Sequence, residues 1–397
     1  MSIPFKINKY FILNTIGSGM FSTIYLSYNK SNFYALKIIE YKNGLKEIDK
    51  LKDINKDANK NNCIYYIEYF KWNDKLIIIY PYLFMSLDQI LNKYYPKGMP
   101  ENIVLKIYND IKKSLLFIHS KNILHADIKP DNICVKLNVL SNNLNDDNLK
   151  IINRINKSKN KNNILQKIYN ENFKKEDTDD EMVDDDINTD SDIDSSNEDD
   201  YELIFEYKGK SIKKNDTNQE NDTDTNQDNN QIINQNSINN YDNIFLNSTY
   251  YLCDFGNSFK INNENYFLDY NTRYYRSPEI IFRCNHTLKS DYWAFGCSLC
   301  EILYNKILFN PLKIDNTTTD IIHLSLFISC FNDQNINNEL LIQGRKYNYF
   351  FDGNNRLKTN KIITNFENKN MVYNNSEIMN NIIINLLQLN YENRRLI

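Results

Sequence analysis

The run His125-Ala126-Asp127-Ile128-Lys129-Pro130-Asp131-Asn132 puts a carboxylate, an ammonium and a carboxamide within six residues. Asp127 can accept the proton of an attacking hydroxyl, Lys129 can neutralise a phosphoryl group in transfer, and Asn132 can hold a divalent metal through its side-chain oxygen. A second metal-binding oxygen lies far along the chain, where the strand-like Tyr250-Tyr251-Leu252-Cys253 delivers Asp254 to a glycine turn, Asp254-Phe255-Gly256. Hard oxygen donors of this kind suit Mg²⁺, with nucleotide phosphates supplying other ligands. Near the N-terminus, Lys37 sits in the apolar strand Phe33-Tyr34-Ala35-Leu36-Lys37-Ile38-Ile39. A lysine there is costly unless it meets an anion. The chemistry these groups share is phosphoryl transfer.

The elements that must position them can be read around each group. Apolar residues alternate from Tyr10 to Gly17, then meet Gly17-Ser18-Gly19-Met20-Phe21-Ser22 and a second strand-like run from Thr23 to Tyr28. Glycines at 17 and 19 would let backbone amides approach phosphate oxygens with no Cβ in the way, although the same pattern also makes an ordinary tight hairpin. After the Lys37 strand, Leu45, Ile48 and Leu51 recur at spacing three and predict a helix that carries Glu47. Ile64 to Phe70 and Leu76 to Tyr80 predict two more strands, and Tyr80-Pro81-Tyr82-Leu83 leaves the sheet. Helical spacing resumes from Met85 to Tyr94 and from Glu101 through Ile103, Ile107, Ile111, Leu115 and Ile118. A short strand follows at Ile133 to Leu137.

Composition sets the class. The 397 residues are 41% hydrophobic and 25% charged, as expected of a soluble globular chain with a sizeable core. The net charge of −4 hides an asymmetry: Glu176 to Asp200 holds fourteen acidic and no basic residues, so the remainder is net positive. An ordinary lysine-rich surface accounts for that, and nucleic-acid binding does not follow. No apolar run approaches the roughly 18–20 residues needed to span a bilayer, and no basic-then-apolar leader opens the sequence. Seven scattered cysteines give no paired framework and fit a reducing, intracellular setting, cytoplasmic or nuclear. Cys297 and Cys300 lie in a helical, apolar context and are expected as buried small side chains rather than metal ligands. From 138 to 248 the sequence turns to Asn, Asp, Lys and Ser, and it is expected to be a mostly disordered insertion, with room for short helices such as Ile164 to Phe173.

The catalytic run with Ala126 in place of the usual arginine, the glycine loop, Asp254-Phe255-Gly256-Asn257 and Thr272-Arg273-Tyr274-Tyr275-Arg276-Ser277-Pro278-Glu279 together resemble protein kinases of the CMGC group, most nearly the SR-protein kinases. The long spacer before Asp254 and the segment Gly344 to Phe351 are placed as in that family. The resemblance covers 8–137 and 249–397.

It implies an α+β bilobal fold with a β-rich N-lobe and hinge (1–83), a helical C-lobe in two parts (84–137 and 249–397) and the insertion 138–248 between them. It implies ATP and Mg²⁺ as cofactors. Ile16, Gly17, Ser18, Gly19 and Ser22 would form the phosphate loop, and Lys37 paired with Glu47 would hold the α and β phosphates. Pro81 and Leu83 would offer hinge backbone groups to the base, and Ile24, Ala35 and Cys134 would wall it. Asp127 and Lys129 would be catalytic, and Asn132 and Asp254 would bind metal. Glu279 would pair with Arg394, and Asp291 would tie down the catalytic loop.

The expected activity is transfer of the ATP γ-phosphoryl group to Ser or Thr of protein substrates by a monomer. The alternative is a catalytically weak pseudokinase scaffold. Arg/Ser-rich substrates are among the candidates, although Phe327 stands where that family places a second groove carboxylate after Asp320. The chain ends three residues after Arg394, where kinases usually add a helix, so a slightly under-packed C-lobe is expected. With Ala126 offering no cation to a phosphate, activity is expected not to require phosphorylation of the activation segment.

Overall fold

The computed structural model describes residues 3–19, 22–138, 144–174, 241–261, 270–285, 287–312, 318–331, 339–354, 357–358 and 366–397. Strands β1 (Lys6–Ile7), β2 (Tyr10–Ser18), β3 (Ser22–Asn29), β4 (Asn32–Glu40), β5 (Glu68–Trp72) and β6 (Lys75–Pro81) form one antiparallel sheet. Its order is β1-β2-β3-β4-β6-β5. The alternation of β4 sends Leu36 into one buried cluster and Ile39 into another, and Lys37 falls between them on the cleft side. Ile64 to Ile67 precede β5: the Ile64 amide donates away from the sheet, to the Leu252 carbonyl at 2.8 Å, and the chain joins β6 only from Ile67, whose amide donates to the Ile79 carbonyl at 2.8 Å.

Helix α1 (Tyr41–Lys52) begins where β4 ends, with no intervening loop. Its buried face is Gly44, Glu47, Ile48 and Leu51, whereas Leu45, expected on that face, is exposed. Gly44 explains the tight docking. A Cβ there would lie 2.7 Å from Ile39 Cγ2 and from Leu76 Cδ2, so the absence of a side chain lets helix and sheet approach.

After α2 (Asn55–Ala58) and the hinge, the second lobe is helical. Strand β7 (Met85–Ser86) leads into α3 (Leu87–Tyr94), whose N-cap Ser86 and Gln89 form a capping box. Helix α4 (Glu101–Ser120) buries Ile103, Ile107, Ile111, Leu115 and Ile118, the stripe expected from their spacing. Strand β8 (Ile123–Leu124) enters the catalytic run, and β9 (Ile133–Lys136) leaves it to pair with β10 (Thr249–Leu252) and β7. Strand β11 (Phe259–Lys260) pairs with β8. Helix α7 (Ser290–Tyr304) runs through the centre of this lobe, with Trp293, Ala294 and Phe295 fully buried, and Cys297 and Cys300 are buried free thiols. No helix among the described residues is long and apolar enough to cross a membrane.

The expected insertion needs correction at its start. Helices α5 (Asp147–Lys157) and α6 (Lys161–Phe173) form and pack on the N-lobe. Asn14 donates to Asn148 at 2.8 Å, Asn172 donates to the Leu13 carbonyl at 2.7 Å, and Phe173 lies 6.1 Å from Tyr25. Lys93 of α3 reaches Asp146, the α5 N-cap, at 3.1 Å. At the far end, residues 241–246 are helical and bury Phe245 against Tyr94 and Tyr95. Averaged over the whole tract, composition hides the amphipathic set Ile151, Ile152, Ile155, Leu165 and Ile168, all buried. The helix expected over Ile164 to Phe173 forms as part of α6, and the middle of the tract, 175–240, lies outside the described residues.

Replacing 175–240 by a flexible linker should therefore leave the thermal midpoint and phosphotransfer nearly unchanged, whereas extending the deletion to remove α5 and α6 should cost several kcal/mol. Each large buried aliphatic side chain contributes roughly 1.5–3 kcal/mol. Thermal melts of the two deletions check this, and equal midpoints would refute it.

Candidate active site

Lys37 of β4 and Glu47 of α1 meet as a buried ion pair, with Nζ 2.9 Å from Oε1 and 2.7 Å from Oε2. The direct β4–α1 junction makes the pair reachable in spite of the short separation in sequence. Tyr80 at the end of β6 donates its hydroxyl to Glu47 Oε1 at 2.7 Å. Sequence reasoning assigned Tyr80 no such role. Burial, then the Glu47 carboxylate, push the Tyr80 hydroxyl well above the usual phenol value, so it stays a donor.

Above this pair, β2 and β3 form the hairpin that carries Ile16, Gly17, Ser18, Gly19 and Ser22, closed by Gly19 N donating to the Ser22 carbonyl at 2.8 Å. Neither glycine has a positive φ, and among the described residues a Cβ on Gly19 would have nothing nearer than 3.9 Å. What the glycines provide is clearance beside the backbone, as a phosphate cradle needs. Ile24, Ala35, Leu83 and Cys134 are half-buried, and Pro81 and Leu83 flank Tyr82 in the link between lobes.

Asp127 is the hub of the lower wall. Its Oδ1 accepts from the Thr272 hydroxyl at 2.8 Å and the Thr272 amide at 3.2 Å. Its Oδ2 lies 3.3 Å from Lys129 Nζ and accepts from Asn132 Nδ2 at 3.2 Å and Asn257 Nδ2 at 3.4 Å. Lys129 also donates to the Thr272 hydroxyl oxygen at 3.0 Å. Burial alone would raise the Asp127 carboxyl, but Lys129, the Thr272 bonds and His125 outweigh it and hold the group below the usual carboxylate value. It is therefore ionised at neutral pH, with both oxygens engaged by donors.

The loop that presents Asp127 is pinned from beneath. Asp291 at the start of α7 accepts from the His125 amide at 2.9 Å and the Ala126 amide at 3.1 Å, and lies 2.9 Å from His119 Nε2. Ala126 takes φ 67°, a conformation a non-glycine residue rarely holds without such support. His125 contacts the Cys253 carbonyl at 2.9 Å and packs edge-on against Phe255 with ring centroids 4.9 Å apart.

Asn132 donates its Nδ2 to the Asp127 carbonyl at 2.7 Å, which leaves the carboxamide oxygen as its available acceptor. Asp254 is exposed, in a left-handed turn (φ 58°), with Oδ1 accepting from Gly256 N at 3.2 Å. Asn132 and Asp254 thus offer hard oxygen donors on neighbouring turns, a donor set that fits Mg²⁺ when phosphate oxygens complete the shell. No group of three or more His, Cys, Asp or Glu among the described residues forms an all-protein metal cage.

Other contacts surround the floor. Arg394 grips Glu279 bidentately at 2.6 and 2.8 Å, both fully buried. Tyr275 is buried with its hydroxyl donating to Glu301 at 2.5 Å, and Arg273 pairs with Asp320 at 2.8 Å. Thr272, Asn257, Tyr275 and Glu301 are site residues that sequence reasoning passed over. Thr272, Tyr275 and Asn257 lie in runs recognised for their family pattern, and Glu301 carries no local signal.

Comparison with known proteins agrees with this geometry. The protein kinase domain model matches residues 10–173 and 240–396. A Dictyostelium discoideum serine/threonine-protein kinase, prpf4B, is 36% identical over 140 residues, 32% of this chain and 17% of its own length. Schizosaccharomyces pombe serine/threonine-protein kinase prp4 is 31% identical over 34% of this chain and 30% of its own. A putative serine/threonine-protein kinase of Acanthamoeba polyphaga mimivirus is 27% identical over 80% of this chain and 71% of its own. The chain therefore spans less than a third of the length of the first two relatives. The crystal structure of the PF14_0431 kinase domain superposes with a TM-score of 0.58 at 18% identity, covering 98% of this chain and 92% of that one. Its two-lobed fold is the one described above, and the prp4-type relatives are CMGC-group kinases. With the family model matched on both sides of the insertion, the chain belongs to the protein kinase domain family.

Proposed function

We propose that the chain is an ATP-dependent serine/threonine protein kinase. The observation that carries this reading is the Asp127–Thr272–Lys129 triangle together with the buried Lys37–Glu47 ion pair. In this reading Asp127 accepts the proton of a substrate hydroxyl as its oxygen bonds to the γ-phosphorus, and the bond to the β-phosphate oxygen breaks to release ADP. Lys129 neutralises the transferred group, Lys37 holds the α and β phosphates, and Tyr80 and Glu47 fix the Lys37 ammonium. Asn132 and Asp254 would hold Mg²⁺, which supplies charge neutralisation at the phosphates. Half-buried Ile24, Ala35, Leu83 and Cys134 would enclose the base. Transfer of label from ATP to Ser/Thr peptides, with Asp127→Asn as control, tests the reading.

The finer substrate class is basic. Asp320, which would serve an acidic docking groove, is already engaged by Arg273 at 2.8 Å and Lys346 at 3.8 Å, and Phe327 beside it is fully buried. Negative charge gathers instead beside the catalytic run, where Asp88, Asp131 and Glu301 act on one another and Lys129 and Tyr275 offset part of it. Burial, opposed next in weight by the Tyr275 hydroxyl and reinforced by Asp131 and Asp88, pushes the Glu301 carboxyl up to about 7. A substrate arginine would relieve that repulsion.

The sign of the pH effect follows. The unfolded chain ionises Glu301 near 4.3 and the folded chain only near 7, so its contribution to stability is present below the lower value and lost as pH rises through the upper one. Glu301→Gln should therefore be nearly neutral at pH 4 and stabilising by up to about 3 kcal/mol at pH 8. The same variant should raise KM for arginine-containing peptides and leave KM for neutral peptides unchanged. Denaturant titration at the two pH values and peptide kinetics check both halves.

Phosphorylation of the activation segment should not set the rate. Thr272 already holds Asp127 without a phosphate, and Tyr275 is buried on Glu301. Phosphatase-treated protein, verified phosphate-free by mass spectrometry, is expected to match untreated protein. A tenfold drop would contradict this.

A further inference from the structure

The same face of α1 that carries Glu47 carries Lys50 one turn later, since residues three apart on a helix are neighbours. Glu47 reaches up to Lys37, and the half-buried Lys50 ammonium donates to the backbone carbonyl of Gly256. That glycine matters because its own N–H, in the preceding peptide unit, donates to Asp254 Oδ1 at 3.2 Å. The glycine thus has its nitrogen on the candidate metal carboxylate and its carbonyl on Lys50. Holding that carbonyl restricts the backbone of Gly256 and so steadies the turn whose amide meets Asp254 Oδ1. A second cation fastens the same junction: Lys260 of β11 pairs with Asp53, the residue that ends α1, at 2.5 Å. Phe255 is buried between these contacts and His125.

We propose that Lys50 is a positioning residue that couples the seat of α1 to the orientation of Asp254, so that the phosphate lysine and the metal carboxylate are set by one helix turn. The inference rests on the kinase reading above and adds a residue that neither the family pattern nor the sequence assigned. A charge-assisted bond to a carbonyl is stronger and more directional than a neutral one. Its loss should loosen the Asp254 turn and spare the Lys37–Glu47 pair. Arginine, which also donates a charged N–H from a long stem, should restore most of it.

The test compares wild type, Lys50→Met and Lys50→Arg in ADP binding by calorimetry with excess Mg²⁺ and with chelator, and in amide hydrogen exchange of 252–257 in the ligand-free chain. Mg²⁺ is expected to tighten ADP binding to wild type. In Lys50→Met that tightening should fall by about tenfold, binding with chelator should stay within twofold, and exchange at Gly256 and Asn257 should accelerate. Lys50→Arg should return within about threefold of wild type. Equal Mg²⁺ tightening in wild type and Lys50→Met overturns the proposal. So does a parallel loss in both variants with a lowered thermal midpoint, which marks a merely structural lysine. Asp127→Asn separates this from the broader reading: a wild type that binds ADP·Mg²⁺ but transfers no more label than Asp127→Asn fails as a kinase, while the Lys50 binding comparison still stands or falls on its own.

Discussion

Asp127→Asn is expected to lose phosphotransfer by on the order of 10³-fold or more while folding as well as wild type. The carboxylate gathers the Thr272 hydroxyl, the Thr272 amide, Lys129, Asn132 and Asn257, and no other acidic side chain takes part in that set of contacts. Asparagine keeps the size and can still accept from Thr272 through its oxygen, so packing survives. What it cannot do is take a proton at neutral pH. Lys37→Met should give a loss of similar size for a different reason. It removes the phosphate cation and leaves Glu47 buried beside Tyr80 without its counter-charge. Initial rates of label transfer, with circular dichroism to confirm the fold, check both. Turnover of Asp127→Asn within tenfold of wild type would falsify the assignment of Asp127 as the group that takes the proton.

Arg394→Met should be the most destabilising single change in the C-lobe, at roughly 3–5 kcal/mol, because it strands Glu279 as an unpaired buried charge. Both partners are about 1% exposed, and the guanidinium also donates to the Gln388 carbonyl at 2.7 Å and lies 4.9 Å from the Trp293 ring centroid. Arg394→Lys should recover only part, since a single ammonium cannot reproduce the two-pronged contact with Glu279. Burial by itself would raise the Glu279 carboxyl, but Arg394 and Ser290 override it and hold the group below its usual value. The stabilisation is thus present above the unfolded glutamate value, about 4.3, and is lost as pH falls through the lower folded value. Urea titrations should show the gap between wild type and Arg394→Met widest at neutral pH and narrowing in acid. A constant gap would mean that lost packing, rather than charge, sets the cost.

The chemistry was legible because it depends on residue types at fixed local spacing. Asp127, Lys129 and Asn132 lie on one loop, and the two glycines of the β2–β3 hairpin and the turn at Asp254 are local as well. The period-two and period-three patterns around them supplied the strands and helices on which they sit. Glu47 was the candidate because the resemblance asks for a glutamate on the next helical pattern after Lys37, although that pattern could not reveal that β4 runs directly into α1.

Other features were fixed by tertiary contact. Tyr80 on Glu47, Thr272 and Asn257 on Asp127, Lys50 on Gly256 and Tyr275 on Glu301 join residues 26 to 206 positions apart, with no spacing that would announce a partner. The start of the insertion was misjudged for a related reason. A polar tract can hide a short amphipathic stripe, and whether it folds depends on an apolar surface waiting elsewhere, here the outer face of β2 and β3. Periodicity says which face of an element must be buried. Only the packed chain decides what buries it, because that choice is made by shape and charge complementarity between segments far apart in sequence.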